Sequence, residues 1–198
     1  YMKNSTDYTM NVIKQTTSGV DYNGAELHIS ELKDGTKVEL ANNIVDSKTQ
    51  ARMSLNDISV LPGETHTYAI EETKTTAPHV NILEGKQLRV TTKLEKATDG
   101  QLTMNCSWDI YSNDGTLLKD DSARGFINVV PVQNATTGKW TINAYIQNPT
   151  TFKMKFAKTN ISGFSIAGKA VITINGKENN GSAEETYTNL KVGDMVKF

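Results

Sequence analysis

The chain has 198 residues, enough for one large or two small domains. It carries 21 Lys and Arg residues against 22 Asp and Glu residues without a basic block, which argues against nucleic acid or an anionic membrane as its partner. Its longest apolar runs are only a few residues, so no transmembrane helix is predicted. Because the chain starts at Tyr1 rather than at Met, we expect a processed or excised piece whose targeting signals are missing.

The predicted elements are strands throughout the chain. Stretches rich in Thr, Val and Ile alternate apolar and polar residues with the period of a strand, and they cover residues 7–14, 25–32, 66–72, 87–94, 102–111, 126–132 and 140–148. Turn clusters containing Gly, Asp and Asn separate them. Residues 44–60 are expected to hold a short helix or an irregular crossover instead. We therefore predict an all-β fold, an antiparallel sandwich or barrel.

The start of the chain recurs near its end. The stretch "NSTDYTMNVIKQTTSGVDYNG" from Asn4 aligns without gaps on "NPTTFKMKFAKTNISGFSIAG" from Asn148. In this alignment Lys14 matches Lys158. Internal repetition of this kind predicts tandem structural units.

The repeat suggests three segments. Residues 1–6 are expected to be the end of a preceding unit or a linker, residues 7–149 one whole domain, and residues 150–198 the first part of a second. The last segment is too short to bury a core of its own. Its remaining strands are therefore expected to be absent from this chain or supplied by another molecule.

Cysteine and histidine usage indicates no disulfide and no metal site. The single cysteine, Cys106, cannot form an internal disulfide, and it is expected to be a buried, inert thiol because it shares a strand face with Trp108. The three histidines, His28, His66 and His79, lack the spacing of metal ligands.

A polar residue extends the apolar face of each of three strands. Alternate residues of a strand share a face, so apolar residues two apart form a stripe along it. Three such apolar stripes end in a polar residue. Lys14 follows Tyr8, Met10 and Val12, Glu72 follows Tyr68 and Ile70, and Asn148 follows Ile142, Ala144 and Ile146. One interpretation is that these are solvated strand ends. Lys14 and Glu72 would then form an ordinary ion pair worth about 0–1 kcal/mol.

The other interpretation is that the three side chains meet in the core. Burial disfavours charge, so a desolvated lysine loses its proton more readily and a desolvated glutamate retains one. A neutral amine is a nucleophile, and a protonated carboxyl can polarise a carboxamide carbonyl and then transfer protons. Attack of the Lys14 nitrogen on the side-chain carbonyl of Asn148 would expel ammonia and form an amide.

Three motifs resemble the Cna B-type (SpaA-like, prealbumin-like) domains of Gram-positive bacterial surface proteins and pilins. "YAIEETKTTAP" is similar to the family's Glu-Thr motif with its following Ala-Pro, "MNVIKQTTSGVDYNGAEL" to the opening strand with its Lys, and "WTINAYIQNP" to the closing strand, which ends in Asn or Asp. The chain departs from the family in three respects: two extra residues precede Ala-Pro, no Gly-Tyr follows Pro78, and the stretch from Glu72 to Asn148 is long.

The resemblance implies an Ig-like β-sandwich with a self-formed Lys–Asn isopeptide bond. Carried over to this sequence, Lys14 is the nucleophile, Glu72 the catalytic acid and base, and Asn148 the acceptor. Lys158 would be the nucleophile of the second unit. Two other asparagines are weaker candidates for the acceptor, Asn105 and Asn143, the latter because it lies on the opposite face of its strand.

The expected function is that of a structural module in an extracellular bacterial surface fibre, pilus or adhesin stalk, attached to the cell wall through regions outside this chain. Neighbouring repeats of the same protein or fibre are the expected partners. We expect no cofactor, no metal, and no enzymatic activity beyond a single self-reaction. The alternative is a module that binds a host protein or glycan through a long insertion at residues 95–140, with Tyr111, Trp140 or Tyr145 as exposed contacts.

Overall fold

The computed structural model describes residues 5–16, 24–38, 51–75, 79–149, 151–157, 170–181, 184–191 and 194–197. Contacts within the chain divide it into two compact units. Residues 1–76 and 81–148 form the first unit, and residues 77–80 and 149–198 form the second. The domain limits expected from the internal repeat stay a prediction.

The described residues of the first unit form nine strands and one short 3-10 helix. The strands are β1 (Thr6–Thr16), β2 (Glu26–Lys33), β3 (Thr36–Val38), β4 (Arg52–Val60), β5 (Thr65–Lys74), β6 (Lys86–Lys96), β7 (Leu102–Ser112), β8 (Ile127–Gln133) and β9 (Trp140–Asn148), and the 3-10 helix spans Ser122–Phe126. The described residues contain no helix long and apolar enough to cross a bilayer.

The first unit is a sandwich of two sheets. One sheet has the strand order β4-β1-β9-β8, and the other has the order β3-β2-β5-β6-β7. Neighbouring strands are antiparallel except for β1 and β9, which run parallel. This parallel pairing places the first and the last strand of the unit side by side.

The apolar core lies between the inward faces of the two sheets. Alternate residues of each strand point to one face, and apolar residues from both sheets form one buried cluster, which includes Tyr8, Met10, Leu27, Ile29, Tyr68, Ile70, Leu88, Val90, Ile142 and Ile146. Burying a large apolar side chain contributes about 1.5–3 kcal/mol. The prediction of an all-β sandwich is confirmed.

The predicted strands are confirmed to within about two residues at each end, but the first unit has two further strands that the alternation does not predict. β3 has only three residues, too few for an alternating pattern to be recognised. The expectation of a helix or irregular crossover over 44–60 is wrong for Arg52–Val60, which form β4. Residues 44–50 lie outside the described residues.

A β-bulge interrupts the alternation of β4. Opposite the single residue Thr9 of β1, β4 places two residues, Asn56 and Asp57, and Asp57 adopts a φ of 52°. The extra residue shifts the buried positions by one. Buried positions are therefore odd-numbered before the bulge, as at Met53, and even-numbered after it, as at Val60. A search for strict alternation fails at such a position.

The segment 95–140 contributes strands to both sheets of the sandwich. It supplies all of β7, which pairs with β6 along its whole length, and all of β8, which pairs with β9. Each of these strands forms an outer edge of its sheet. Asp121 caps the N-terminus of the 3-10 helix between them, and its side chain accepts a hydrogen bond from the Ala123 backbone N–H.

The second unit contains five described strands, β10 (Thr151–Ala157), β11 (Ala170–Ile174), β12 (Lys177–Gly181), β13 (Glu184–Lys191) and β14 (Val196–Lys197). β10 pairs with β13, and β11 lies between β12 and β14. In the first unit β1 pairs with β4, and β2 lies between β3 and β5. The five strands of the second unit therefore repeat the order and the pairing of β1 to β5.

Two local features also recur in both units. The β10–β13 pair has a register shift between Phe152 and Met154, the residues that align with Tyr8 and Met10, where the β1–β4 pair is also shifted. The hairpin turns between β2 and β3 and between β11 and β12 are Asp-Gly and Asn-Gly, with positive φ at all four positions. The two units thus share backbone detail as well as sequence.

Candidate functional site

Three strands carry the polar residues that end the apolar stripes. On β1 the buried positions run through Tyr8, Met10 and Val12 to Lys14, which is 0% exposed. On β5 they run to Glu72, which is 5% exposed, and on β9 they run to Asn148, which is 0% exposed. Full burial of all three residues excludes the interpretation that they are solvated strand ends.

The structure brings these three side chains into mutual contact. The Lys14 Nζ lies 2.9 Å from the Glu72 Oε2 and 2.8 Å from the Asn148 Oδ1. The Asn148 Nδ2 lies 2.6 Å from the Glu72 Oε1. The amine, the carboxyl and the carboxamide therefore form a closed triangle of hydrogen bonds, which we call the triad.

The carboxamide of Asn148 has a defined orientation. Its nitrogen donates to the Glu72 carboxylate and also to the Thr75 Oγ1 at 3.2 Å, and its oxygen accepts from Lys14. Both amide hydrogens are thus used, and the carbonyl faces the amine. The carboxyl of Glu72 lies against the nitrogen of the carboxamide rather than against the oxygen that sequence reasoning expected it to polarise.

Burial changes the chemistry of the amine. It lowers the pKa of Lys14 from the usual 10.5 to about 8, and the neighbouring Glu72 carboxylate opposes part of that change. At pH 7 about a tenth of the Lys14 amine is then neutral, far more than for an exposed lysine. The site therefore holds an available nucleophile against an amide carbonyl.

Two supporting residues were not found from the sequence. Thr75 follows the last residue of β5, and its hydroxyl accepts a hydrogen bond from Asn148 of the triad. Asn81 donates from its Nδ2 to the backbone carbonyl of Glu72 at 2.8 Å. The side chain of Asn81 also accepts from the Leu83 backbone N–H. Both lie beyond the end of a strand, where the period of two no longer shows which way a side chain points.

The other candidate residues lie elsewhere. Asn143 accepts a hydrogen bond from Asn11 at 2.9 Å, and Asn105 donates to Glu95, so neither contacts Lys14. Lys158, the expected nucleophile of the second unit, lies outside the described residues, as does the Ala-Pro of the motif.

No metal-binding group emerges from the described residues, which contain no cluster of three or more His, Cys, Asp and Glu side chains. Cys106 is half-buried against the core, and burial raises the pKa of its thiol to about 11. Of the aromatic contacts considered for a binding surface, Tyr111, Trp140 and Tyr145 are all half-buried, and the Arg89 guanidinium lies 4.0 Å from the ring centre of Tyr111.

No family model and no curated protein matches the chain. Among solved structures, this chain is similar to a crystal structure of the C-terminal fragment of the pilus adhesin SpaC from Lactobacillus rhamnosus GG, with 16% sequence identity and a TM-score of 0.31. The match covers 96% of this chain and 72% of the fragment. A longer SpaC structure has 15% identity and a TM-score of 0.33, and 22% of it is covered. Scores of this size do not establish a shared fold, so function has to be inferred from the residues of this chain.

Proposed function

We propose that this chain is a structural module of an extracellular bacterial surface fibre, pilus or adhesin stalk, held together by a self-formed amide between Lys14 and Asn148. The observation that carries the proposal is the triad, in which a buried amine, carboxyl and carboxamide lie within hydrogen-bond distance of one another. The resemblance of three sequence motifs to Cna B-type domains supports the location at the cell surface.

Bond formation in this site is a single self-reaction. The neutral Lys14 nitrogen attacks the side-chain carbonyl carbon of Asn148, and the bond from that carbon to the carboxamide nitrogen breaks. Glu72 accepts the proton that the amine loses through one carboxylate oxygen and returns a proton to the departing nitrogen through the other. The products are one new amide and one ammonia, and Glu72 ends as it began.

The positions of the two residues suit a load-bearing module. Lys14 lies on the first strand of the unit and Asn148 on the last. Tension that enters before β1 and leaves after β9 would pass through the amide, and the residues between Lys14 and Asn148 would carry little of it. An amide also resists reduction, which suits a chain with one cysteine.

The repeated backbone features of the second unit support a tandem array. We propose one domain over 7–149, the first part of another over 150–198, and a linker or preceding unit over 1–6. Lys158 would be the nucleophile of the second domain. Partners would be neighbouring repeats of the same protein or fibre, with attachment to the cell wall through other regions.

Single-molecule stretching of the full chain tests the load-bearing role. With the bond in place, unfolding of the residues between Lys14 and Asn148 adds nothing to the extension of the pulled chain. In Glu72→Gln, which should lack the bond, complete unfolding of these residues adds on the order of 450 Å to the extension. Glu31→Gln is the matched control, since Glu31 is another buried glutamate of the same sheet that lies outside the triad. Full extension of the wild-type unit would overturn the proposal.

A second candidate function, binding of a host glycan or protein, is favoured by one cavity. It has a volume of about 210 Å³ on the first unit, and its lining includes Trp140, Asp7, Asp57 and Lys139. An aromatic ring beside charged groups is a common arrangement in ligand sites. Screening the chain and its Trp140→Ala variant against immobilised glycans and host matrix proteins tests this function. A wild-type binding signal that the variant loses supports binding at the cavity, and equal signals from the two proteins contradict it.

A further inference from the structure

Among the described residues, the first unit has four edge strands, β3, β4, β7 and β8, and these edges are protected to different degrees. Exposed backbone N–H and C=O groups on an edge recruit other strands unless the edge is short, bulged or interrupted by Pro. β3 has three residues, β4 has the bulge at Asn56 and Asp57, and β8 contains Pro131. β7 has none of these features.

β7 is long, regular and nearly uncharged. It pairs with β6 in one continuous register from Leu102 to Ser112, without a shift. No charged residue occurs from Leu102 to Trp108. In the described part of the chain, the only backbone pairing on its outer side involves its last residues, which contact the segment around Leu117.

The hydrogen bonds at that end show which backbone groups point outward. The carbonyl of Ile110 accepts from the Leu118 N–H, and the N–H of Ser112 donates to the Thr116 carbonyl. In an antiparallel pair this direction alternates from residue to residue. The N–H and C=O groups of the preceding even-numbered residues, Met104, Cys106 and Trp108, therefore face away from β6.

The same edge leaves an apolar margin incompletely covered. Leu102, Cys106 and Trp108 pack against the core but stay half-buried. A strand added along β7 would cover this margin and would also satisfy the outward backbone groups. Only an extended chain has the geometry to do both.

We propose that the outer edge of β7, residues 102–108, pairs antiparallel with the same edge of a second copy of this chain. The sequence is self-complementary in such a pair. With Asn105 opposite its own copy, Leu102 lies opposite Trp108 and Met104 opposite Cys106, so apolar residues face apolar ones. The polar residues Thr103 and Ser107 face each other as well, and no like charges oppose.

Sedimentation equilibrium of the full chain tests the pairing. A stable interface buries about 1,000 Å² or more, and edge pairing buries less than that. The concentration series must therefore extend to about 1 mM, where weak complexes form. The average mass is expected to rise toward that of a dimer. Thr103→Lys with Ser107→Lys places like charges at the pairing edge and should keep the chain monomeric. Asn128→Lys with Thr136→Lys is the control of equal charge and should associate like wild type.

Amide hydrogen exchange locates the interface. The amides of Met104, Cys106 and Trp108 should be protected at high concentration and exposed at low concentration, whereas those of Thr103, Asn105 and Ser107, which pair with β6, should be protected at both. A chain that stays monomeric throughout the series overturns the proposal. So does a dimer in which the even-numbered amides of β7 exchange at an unchanged rate.

Discussion

Lys14 and Asn148 are 134 residues apart in the sequence, and their side chains contact each other at 2.8 Å. The parallel pairing of β1 with β9 places Lys14 opposite Ile146 and Thr16 opposite Asn148. The two side chains are therefore diagonal neighbours on the buried face of the sheet. One amide at this point would join the first strand of the unit to the last.

Thr75 is expected to set the orientation of the reacting carboxamide. Thr75→Val removes one of the two acceptors of the Asn148 amide, so we predict that bond formation slows about two- to tenfold, the equivalent of one hydrogen bond. Thr75→Ser, which retains the hydroxyl, should react at the wild-type rate. The rate is measured by refolding denatured, unreacted chain and following the loss of ammonia by mass spectrometry.

Thr73→Val is the matched control, because Thr73 is exposed near the end of the same strand. It should not change the rate. If wild type loses ammonia and Thr75→Val loses it equally fast, the positioning role of Thr75 is refuted. The bond between Lys14 and Asn148 would still be supported.

The rate of bond formation should rise with pH. The folded-state pKa of Lys14 is about 8, below the usual 10.5, so the neutral amine becomes more abundant as the pH rises toward 8. We predict a rate that increases about tenfold per pH unit from pH 6 to 7 and levels off above about 8. Refolding at a series of pH values measures it. A rate that falls as the pH rises from 7 to 9 would show that a protonated carboxyl is required instead.

The cross-link should account for a large part of the stability of the first unit. By analogy with a disulfide, closing a loop of this length is worth about 4–5 kcal/mol. Asn148→Ala, which removes the acceptor and leaves the Lys14–Glu72 pair, should therefore lower the free energy of unfolding by at least that amount. Urea titration measures the change.

Asn143→Ala controls for the loss of an asparagine from the same strand. It removes the hydrogen bond from Asn11 and should cost about 0.5–1.5 kcal/mol. Equal losses for Asn143→Ala and Asn148→Ala would mean that no covalent loop stabilises the unit.

Much of the site could be predicted because its residues lie on regular strands. The period of two places Lys14, Glu72 and Asn148 on inward faces, and the structure buries all three. The pairing of β1 with β9 is a long-range relation that alternation alone does not specify. The resemblance to Cna B-type domains implies a cross-link between the two strands but not their pairing.

The remainder could not be predicted where the backbone leaves a regular strand. Asp57, with its positive φ, interrupts the alternation of β4 and conceals that strand. The contact of Thr75 depends on how the chain turns after β5. The orientation of the Asn148 carboxamide depends on three hydrogen-bond partners from different strands and loops, which only the assembled core defines.

The intact mass of the denatured chain tests the central claim most directly. The amide between Lys14 and Asn148 predicts a mass lower than that of the sequence by one ammonia. Lys14→Ala and Glu72→Gln should each restore the full mass expected for their sequences. Lys86→Ala, which removes a partly buried lysine from a different ion pair, should retain the deficit. A wild-type mass equal to that of the sequence would contradict the account.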